Sequence, residues 1–220
     1  MTGSPDLTLY AFWRSSATYR IRVALGLKGL AAHEIPIDLD AGEQLGAAFL
    51  AVNPEGALPA LIEPGHPPLT QSVAILEYLE ERYPQPSLLP ADLHARARVR
   101  SLAALMVSDT HPLIVPRVRK YLTGTAGLDD AAWRAWQVNW FTRGFQTMEA
   151  RLAGDPATGR FCHGDVPTMA DICLASVIAV ARVFKIEVAG VPTVNGIMAR
   201  CEAIEAFARA NPVRQQGAPV

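Results

Sequence analysis

The sequence predicts an α/β + all-α chain: a small domain of βαβ-ββα order followed by an all-helical domain. Strand-like apolar runs occur only before residue 70, and from Asp92 onward the apolar spacing is helical throughout. Between the two lies Pro84-Gln85-Pro86-Ser87-Leu88-Leu89-Pro90, whose prolines cannot continue a helix and stiffen a linker. The expected division is residues 1–84, a linker 85–92, and residues 93–220.

Leu7 to Phe12 reads as a buried first strand. Ile21, Ala24, Leu25 and Leu27 then fall at helical spacing, with Gly29 as the stop. His33 to Asp38 alternates like a second strand, and its Pro36 assigns it to a sheet edge. That strand–helix–strand order makes the first two strands parallel. Leu45 to Val52 is a weak helix closed by the turn Asn53-Pro54-Glu55-Gly56. Ala57 to Ile62 is a third strand and Pro67-Pro68-Leu69 a poor fourth. Val73, Ile75, Leu76, Tyr78 and Leu79 define a helix for which Ser72 is the expected N-cap.

In the second half, His94 to Asp109 is helical, with Val99, Leu102, Ala103 and Met106 on one face. His111-Pro112 and Val115-Pro116 break it, and Arg117 to Leu122 continues. Trp133, Trp136, Trp140, Phe141, Met148 and Leu152 mark a long helix whose aromatic stripe suits a core or an interface. Thr168 and Asp171 have the spacing of reciprocal N-terminal capping, ahead of a helix, Ile172 to Phe184, that is apolar nearly all round. One last helix is expected from about Val194 to Ala210, then a frayed tail.

The 220 residues are half apolar with a net charge of −1, which excludes a disordered chain and an electrostatic nucleic-acid binder; nucleic acid is not an expected partner. Cys162, Cys173 and Cys201 are scattered and odd in number, so neither a disulfide framework nor a metal site is expected, and a cytoplasmic setting fits. Met1 to Asp6 lacks the regions of a signal peptide, and Ile172 to Phe184 is too short to span a membrane.

The most chemically suggestive stretch is Trp13-Arg14-Ser15-Ser16-Ala17-Thr18-Tyr19-Arg20-Ile21-Arg22. A strand, a hydroxyl-dense turn and a helix N-terminus together hold an anion, because the first helical N–H groups lack internal partners. Ser15, Ser16 and Thr18 can each cap the helix or donate to a ligand, and three arginines add charge. The plainer reading is one N-cap and solvated arginines.

That stretch, extended to Leu25, resembles the opening motif of zeta-class glutathione transferases, the maleylacetoacetate isomerase family. Asn53 to Leu61, Leu69 to Leu79, Leu88 to Asp92 and Gly164 to Asp171 resemble its later segments, in order, so the likeness runs from about Leu7 to about Asn211. It implies the glutathione transferase fold: a thioredoxin-like glutathione-binding domain and a helical-bundle substrate domain, paired as a homodimer. The dimer surfaces would be the Val99–Met106 helix and the hairpin near Pro64. It also implies glutathione as cofactor, held by the backbone of Leu58 beside a cis-Pro59 and by Gln71 and Ser72 at a helix start.

Ser15 is then the expected thiol-activating hydroxyl, with Ser16 as the competing donor. A free thiol has a pKa of about 8.5, and lowering it by about two units takes about 2.7 kcal/mol. One hydrogen bond to the anion plus a helix N-terminus can supply that. The implied reaction is cis–trans isomerisation of an α,β-unsaturated diketo acid by thiolate addition, bond rotation and elimination. Arg14 is the expected partner of the developing negative charge, with His111 and Arg182 as further contacts for an acidic substrate, although a helix-end structural role for His111 is equally open.

The sequence departs from the family pattern at three places. Ala17 stands where many members have Cys, Val183 where an arginine is usual (Arg182 is one position away), and Val115-Pro116 where relatives are polar. Three readings therefore stand: the isomerase, a transferase conjugating or dehalogenating small electrophiles, and a non-enzymatic binding protein of the same fold. The lack of Cys-x-x-Cys argues against a disulfide reductase.

Overall fold

Strand β1 (Leu7–Ala11) is the hub of the first half, with Leu7, Leu9 and Ala11 buried. Helix α1 (Ser16–Leu27) carries the chain to β2 (Ala32–Pro36), which runs parallel to β1 as the βαβ order requires. On the other side β3 (Ala60–Ile62) and β4 (Leu69–Thr70) form an antiparallel hairpin, giving the order β2-β1-β3-β4 in a computed structural model that describes residues 6–219. The reading of the N-terminus therefore lies, except for Asp6, outside the described residues. Pro36 sits on an edge strand, as expected. β3 starts three residues later than the apolar run suggests, after Pro59, which has no N–H for a ladder.

A 3-10 turn (Glu43–Leu45) and the short α2 (Ala47–Leu50) fill the weakly helical region. Helix α3 (Ser72–Arg82) buries Ile75, Leu76 and Leu79. The proline-rich segment after α3 is tied down by Lys28. Its Nζ donates to Glu80 at 2.9 Å, to the Tyr83 carbonyl at 2.7 Å and to the Pro86 carbonyl at 3.0 Å.

The chain divides into two compact units: one runs to Leu88 and includes everything from Ala203 onward, and the other is Leu89–Glu202. The single last helix of the sequence reading is two helices, α8 (Pro192–Glu202) and α9 (Glu205–Ala210), because Ile204 is extended between them. α9 packs on α1 closely enough that a Cβ at Gly26 would lie 3.0 Å from the Ala206 Cβ. The tail is not frayed either. Asn211 caps a 3-10 turn, Pro212–Arg214, and Gln215 Nε2 donates to the carbonyls of Arg209 and Asn211.

The second unit is helical among its described residues. α4 (Leu93–Ala104) runs into a π-helical segment (Leu105–Thr110) and a 3-10 turn (His111–Ile114), then α5 (Pro116–Gly124) starts at the second proline break. α6 (Asp130–Leu152) buries Trp133, Phe141, Met148 and Leu152, while the Trp136 indole donates to the Leu113 carbonyl. α7 (Met169–Val183) is buried along nearly its whole length. Its cap is Thr168, whose N–H and hydroxyl both donate to Asp171, at 2.8 Å each. Val99, Leu102, Ala103 and Met106 are core residues of this unit, as their shared helical face predicts. Among the described residues no helix is long and apolar enough to cross a membrane.

Candidate functional site

Sheet topology gathers the predicted residues of the first unit. β1 delivers its C-terminal end to Trp13–Ser15. β3 is antiparallel to β1, so its N-terminal end, Leu58-Pro59, lies at that same edge, with Tyr10 opposite Ala60. β4 runs back again with Thr70 opposite Ala60, so it also delivers Gln71 and Ser72 there. Parallel β2 ends at the same edge, with Pro36 opposite Ala11, and leads into Asp38–Asp40. Four strand ends thus converge on one rim.

Ser15 is the N-cap of α1: it is extended (φ −68°, ψ 116°), and its Oγ accepts the Thr18 N–H at 3.2 Å. Among the described residues no hydrogen bond has the Ser15 hydroxyl as its donor, so that donor is open to a ligand. Ser16 is 3 % exposed and accepts from Arg20 Nη2 at 3.3 Å, so its oxygen is turned into the fold. Arg20 is itself 2 % exposed, contrary to the solvated reading, and its Nη1 donates to Ser72 Oγ at 2.7 Å. Arg22 is also engaged, through three hydrogen bonds to Glu34.

The start of α3 corrects the expected cap. Ser72 is the first helical residue and Gln71 is the N-cap, with φ 64° and ψ 109° and no side-chain capping bond. The first N–H groups of α3 therefore stay uncapped, as an anion site requires. The Gln71 carboxamide donates to Glu55 at 2.6 Å. The Leu58–Pro59 peptide is cis. Among the described residues no hydrogen bond engages the Leu58 backbone N–H or C=O, so both remain open to an extended peptide. These open donors and acceptors fit a γ-glutamyl tripeptide thiol: strand-like backbone pairing at its middle, a carboxylate at the α3 N-terminus, and a hydroxyl for the sulfur.

Arg14 lies beside them, but it is not idle. Its Nη1 and Nη2 form a bidentate pair with Asp40 at 2.7 and 2.5 Å, and the guanidinium sits 5.1 Å from the Phe12 ring and 5.4 Å from the Trp13 ring. The two remaining predicted contacts are in the second unit. His111 opens the 3-10 turn after α4, half-buried, and Arg182 is on the exposed side of α7 in an ion pair with Glu202. Val183, at the position where the family arginine is usual, ends α7.

Sequence reasoning missed Asp40, Glu55 and the interior role of Arg20. The signal for Glu55 was its place in the Asn53–Gly56 turn. Asp40 and Arg20 had none beyond their charge. All three cysteines are buried, and burial, with the Asp171 carboxylate next in importance, pushes the Cys162 and Cys201 thiols up. All three belong to the second unit, so the rim of the first unit carries no cysteine of this chain among its described residues. No group of residues suited to a metal ion occurs among the described residues.

The chain matches the family models for the glutathione S-transferase N-terminal domain over residues 5–81 and C-terminal domain over residues 130–210. It is 44 % identical to a maleylpyruvate isomerase of Ralstonia, over 95 % of this chain and 98 % of that one. It is 43 % identical to the maleylacetoacetate isomerase of Rhizobium meliloti, over 95 % and 97 %. Among solved structures it superposes with a TM-score of 0.94 on maleylacetoacetate isomerase from Methylobacterium extorquens AM1 with bound malonate and glutathione, at 49 % identity and covering 97 % of this chain and all of that one. A zeta-class maleylpyruvate isomerase in its holo form gives 0.93 at 43 % identity, over 96 % of this chain and all of that one. With likeness of this extent running through both halves, the chain belongs to the glutathione S-transferase family, in the zeta-class group of maleylacetoacetate and maleylpyruvate isomerases.

Proposed function

We propose that the protein is a glutathione-dependent cis–trans isomerase of maleylacetoacetate or a similar cis-diketo acid. The observation that supports this most is the pairing of near-full-length identity to such isomerases with an open Ser15 hydroxyl at the α1 N-terminus. Glutathione, when bound, supplies a thiolate that adds to the conjugated double bond, permits rotation and leaves again.

The rest is the work of the chain's own groups. Ser15 Oγ–H donates to the sulfur and favours its ionised form, helped by the positive end of α1. The Leu58 backbone pairs with the middle of the tripeptide, and Pro59 closes the strand beside it. Gln71, Ser72 and the uncapped α3 amides hold the γ-glutamyl carboxylate. Arg14 takes the substrate carboxylate or the oxygen that gains charge as the thiolate adds. The first unit is the glutathione-binding domain and the helical unit the substrate domain, where His111 serves the acidic substrate. A cytoplasmic homodimer is the setting we infer from the family.

A second reading, a transferase acting on small electrophiles, draws on one observation: Arg182 is paired with Glu202 and Val183 supplies no charge. An isomerase needs cations for a diacid, whereas a conjugating transferase does not.

The deciding experiment is the ultraviolet titration of glutathione thiolate with wild type and Ser15→Ala. The proposal expects a bound thiol ionising about two units below its free value of about 8.5 in the wild type, with the shift lost in the variant. Bound glutathione at an unshifted pKa, or a shift that survives Ser15→Ala and disappears in Ser16→Ala, would overturn the role of Ser15. Turnover of maleylacetoacetate against 1-chloro-2,4-dinitrobenzene separates the isomerase from the transferase.

A further inference from the structure

We propose that Asp40 is a charge-selectivity residue: an internal carboxylate that occupies Arg14 and sets how strongly an acidic substrate must compete for it. This rests on the reading of Arg14 as the cation for such a substrate.

The pair is built rather than incidental. Asp38 Oδ1 accepts the backbone N–H groups of Asp40 at 2.8 Å and Ala41 at 3.1 Å, and the Asp38 N–H donates to Glu43 at 2.7 Å. That turn fixes where the Asp40 side chain emerges. On the other side, the Phe12 and Trp13 rings fix the Arg14 guanidinium by cation–π contact. Two independently held groups then meet through both terminal nitrogens of Arg14, in the geometry with which arginine grips a ligand carboxylate.

The pair also faces a cavity of about 360 Å³, large enough for a small diacid, which is lined by Trp13, Ile37 and the tail residues Gln216, Gly217 and Pro219. Among the described residues the charged groups on its wall are Arg14, Asp38 and Asp40, which sum to one negative charge at neutral pH. A surface so charged does not draw an anion. Replacing Asp40 by a neutral residue makes the wall neutral and leaves the guanidinium fork vacant. The pair is partly exposed, with side-chain accessibilities of 24 % for Arg14 and 55 % for Asp40, so solvent screens it and a ligand can displace it.

The test is calorimetric binding of malonate to the glutathione-loaded protein at low salt, in wild type, Asp40→Asn, Asp40→Glu, Arg14→Ala and the Asp40→Asn/Arg14→Ala double variant, each checked for native circular dichroism. For a partly screened pair, Asp40→Asn is expected to tighten malonate about three- to fivefold. Asp40→Glu keeps wild-type affinity, and Asp40→Asn tightens malonate markedly less once Arg14 is gone, since only the change in wall charge remains. In turnover, Asp40→Asn lowers KM for the acidic substrate more than it changes kcat, while kcat/KM for neutral 1-chloro-2,4-dinitrobenzene stays level. A merely structural aspartate would move both substrates alike, and that result overturns the proposal. If Arg14→Ala weakens malonate but Asp40→Asn leaves it unchanged or weakens it, Asp40 is not a competitor and this inference alone falls. If Arg14→Ala leaves malonate binding intact, the assignment of Arg14 falls as well.

Discussion

Arg20 Nη1 donates to Ser72 Oγ at 2.7 Å, so one buried guanidinium joins α1 to the first turn of α3. The same side chain reaches Ser16 through Nη2. The N-terminus of α1, proposed to face the thiol, and that of α3, proposed to hold the γ-glutamyl carboxylate, are therefore tied to each other by a buried cation in the first unit. Arg20→Met keeps most of the side-chain volume but removes the charge and these hydrogen bonds with it. Hydrogen bonds to a charged group are worth about 1.5–3 kcal/mol each, and the losses share one site, so the variant should lose about 2–4 kcal/mol in urea unfolding. Glutathione affinity should fall with it, whereas Ser72→Ala should cost less in stability. An Arg20→Met protein with wild-type stability and glutathione affinity would show that the link positions nothing.

Gln71 has a backbone conformation that a residue with a Cβ adopts reluctantly, φ 64° and ψ 109°. Strain of this kind costs about 1–3 kcal/mol and persists where something else requires it. Here it turns the chain from β4 into α3 with the α3 amides uncapped and the carboxamide at Glu55. Gln71→Gly should accordingly be as stable as wild type or up to about 1 kcal/mol more stable. Gln71→Ala, which keeps the strain and loses the Glu55 bond, should be the less stable of the two. Both should bind glutathione more weakly. Equal melting temperatures for the Gly and Ala variants would remove the argument from strain.

Elements whose identity depends on local pattern were legible in the sequence. Among them were the βαβ start, the edge placement forced by Pro36, the helix breaks at Pro112 and Pro116, the buried α7 and the hydroxyl turn before α1. What escaped depended on partners far along the chain. Nothing near Arg20 announces that Ser72, 52 positions later, will accept its hydrogen bond, so a solvated arginine is the reasonable local reading. Asp40 looked like one more loop acid because its meaning lies in Arg14, 26 positions earlier. The cap of α3 was misplaced by one residue because a Ser before an apolar run is the usual signal, and a Gln at positive φ has no sequence signature. The ordered tail escaped for the same reason: its anchors are side-chain-to-backbone bonds from Gln215, invisible to periodicity.

Lys28 and Glu80 form a buried ion pair in which the lysine side chain is fully covered. Burial by itself would raise the Glu80 carboxyl. Hydrogen bonds from Ser87, Lys28 and the Leu88 N–H, together with the Lys28 charge, outweigh burial and hold it below the usual range. A carboxyl depressed in the folded state stabilises the fold fully above its unfolded pKa of about 4.3, and that contribution is lost as the pH falls through the lower folded value. Lys28→Met removes the hydrogen bond to Glu80, those to the Tyr83 and Pro86 carbonyls, and the compensating charge, while leaving the carboxylate buried. It should cost about 3–5 kcal/mol at neutral pH. The Glu80 carboxyl should move up in the variant, because burial then meets less opposition. Since a protonated Glu80 no longer needs a cation, the deficit should shrink as the pH is lowered through the carboxylate range. Urea unfolding at pH 7 and at pH 4 measures both numbers, and a deficit that stays constant or widens toward acid would mean that Lys28 acts through its carbonyl contacts at Tyr83 and Pro86 rather than through Glu80.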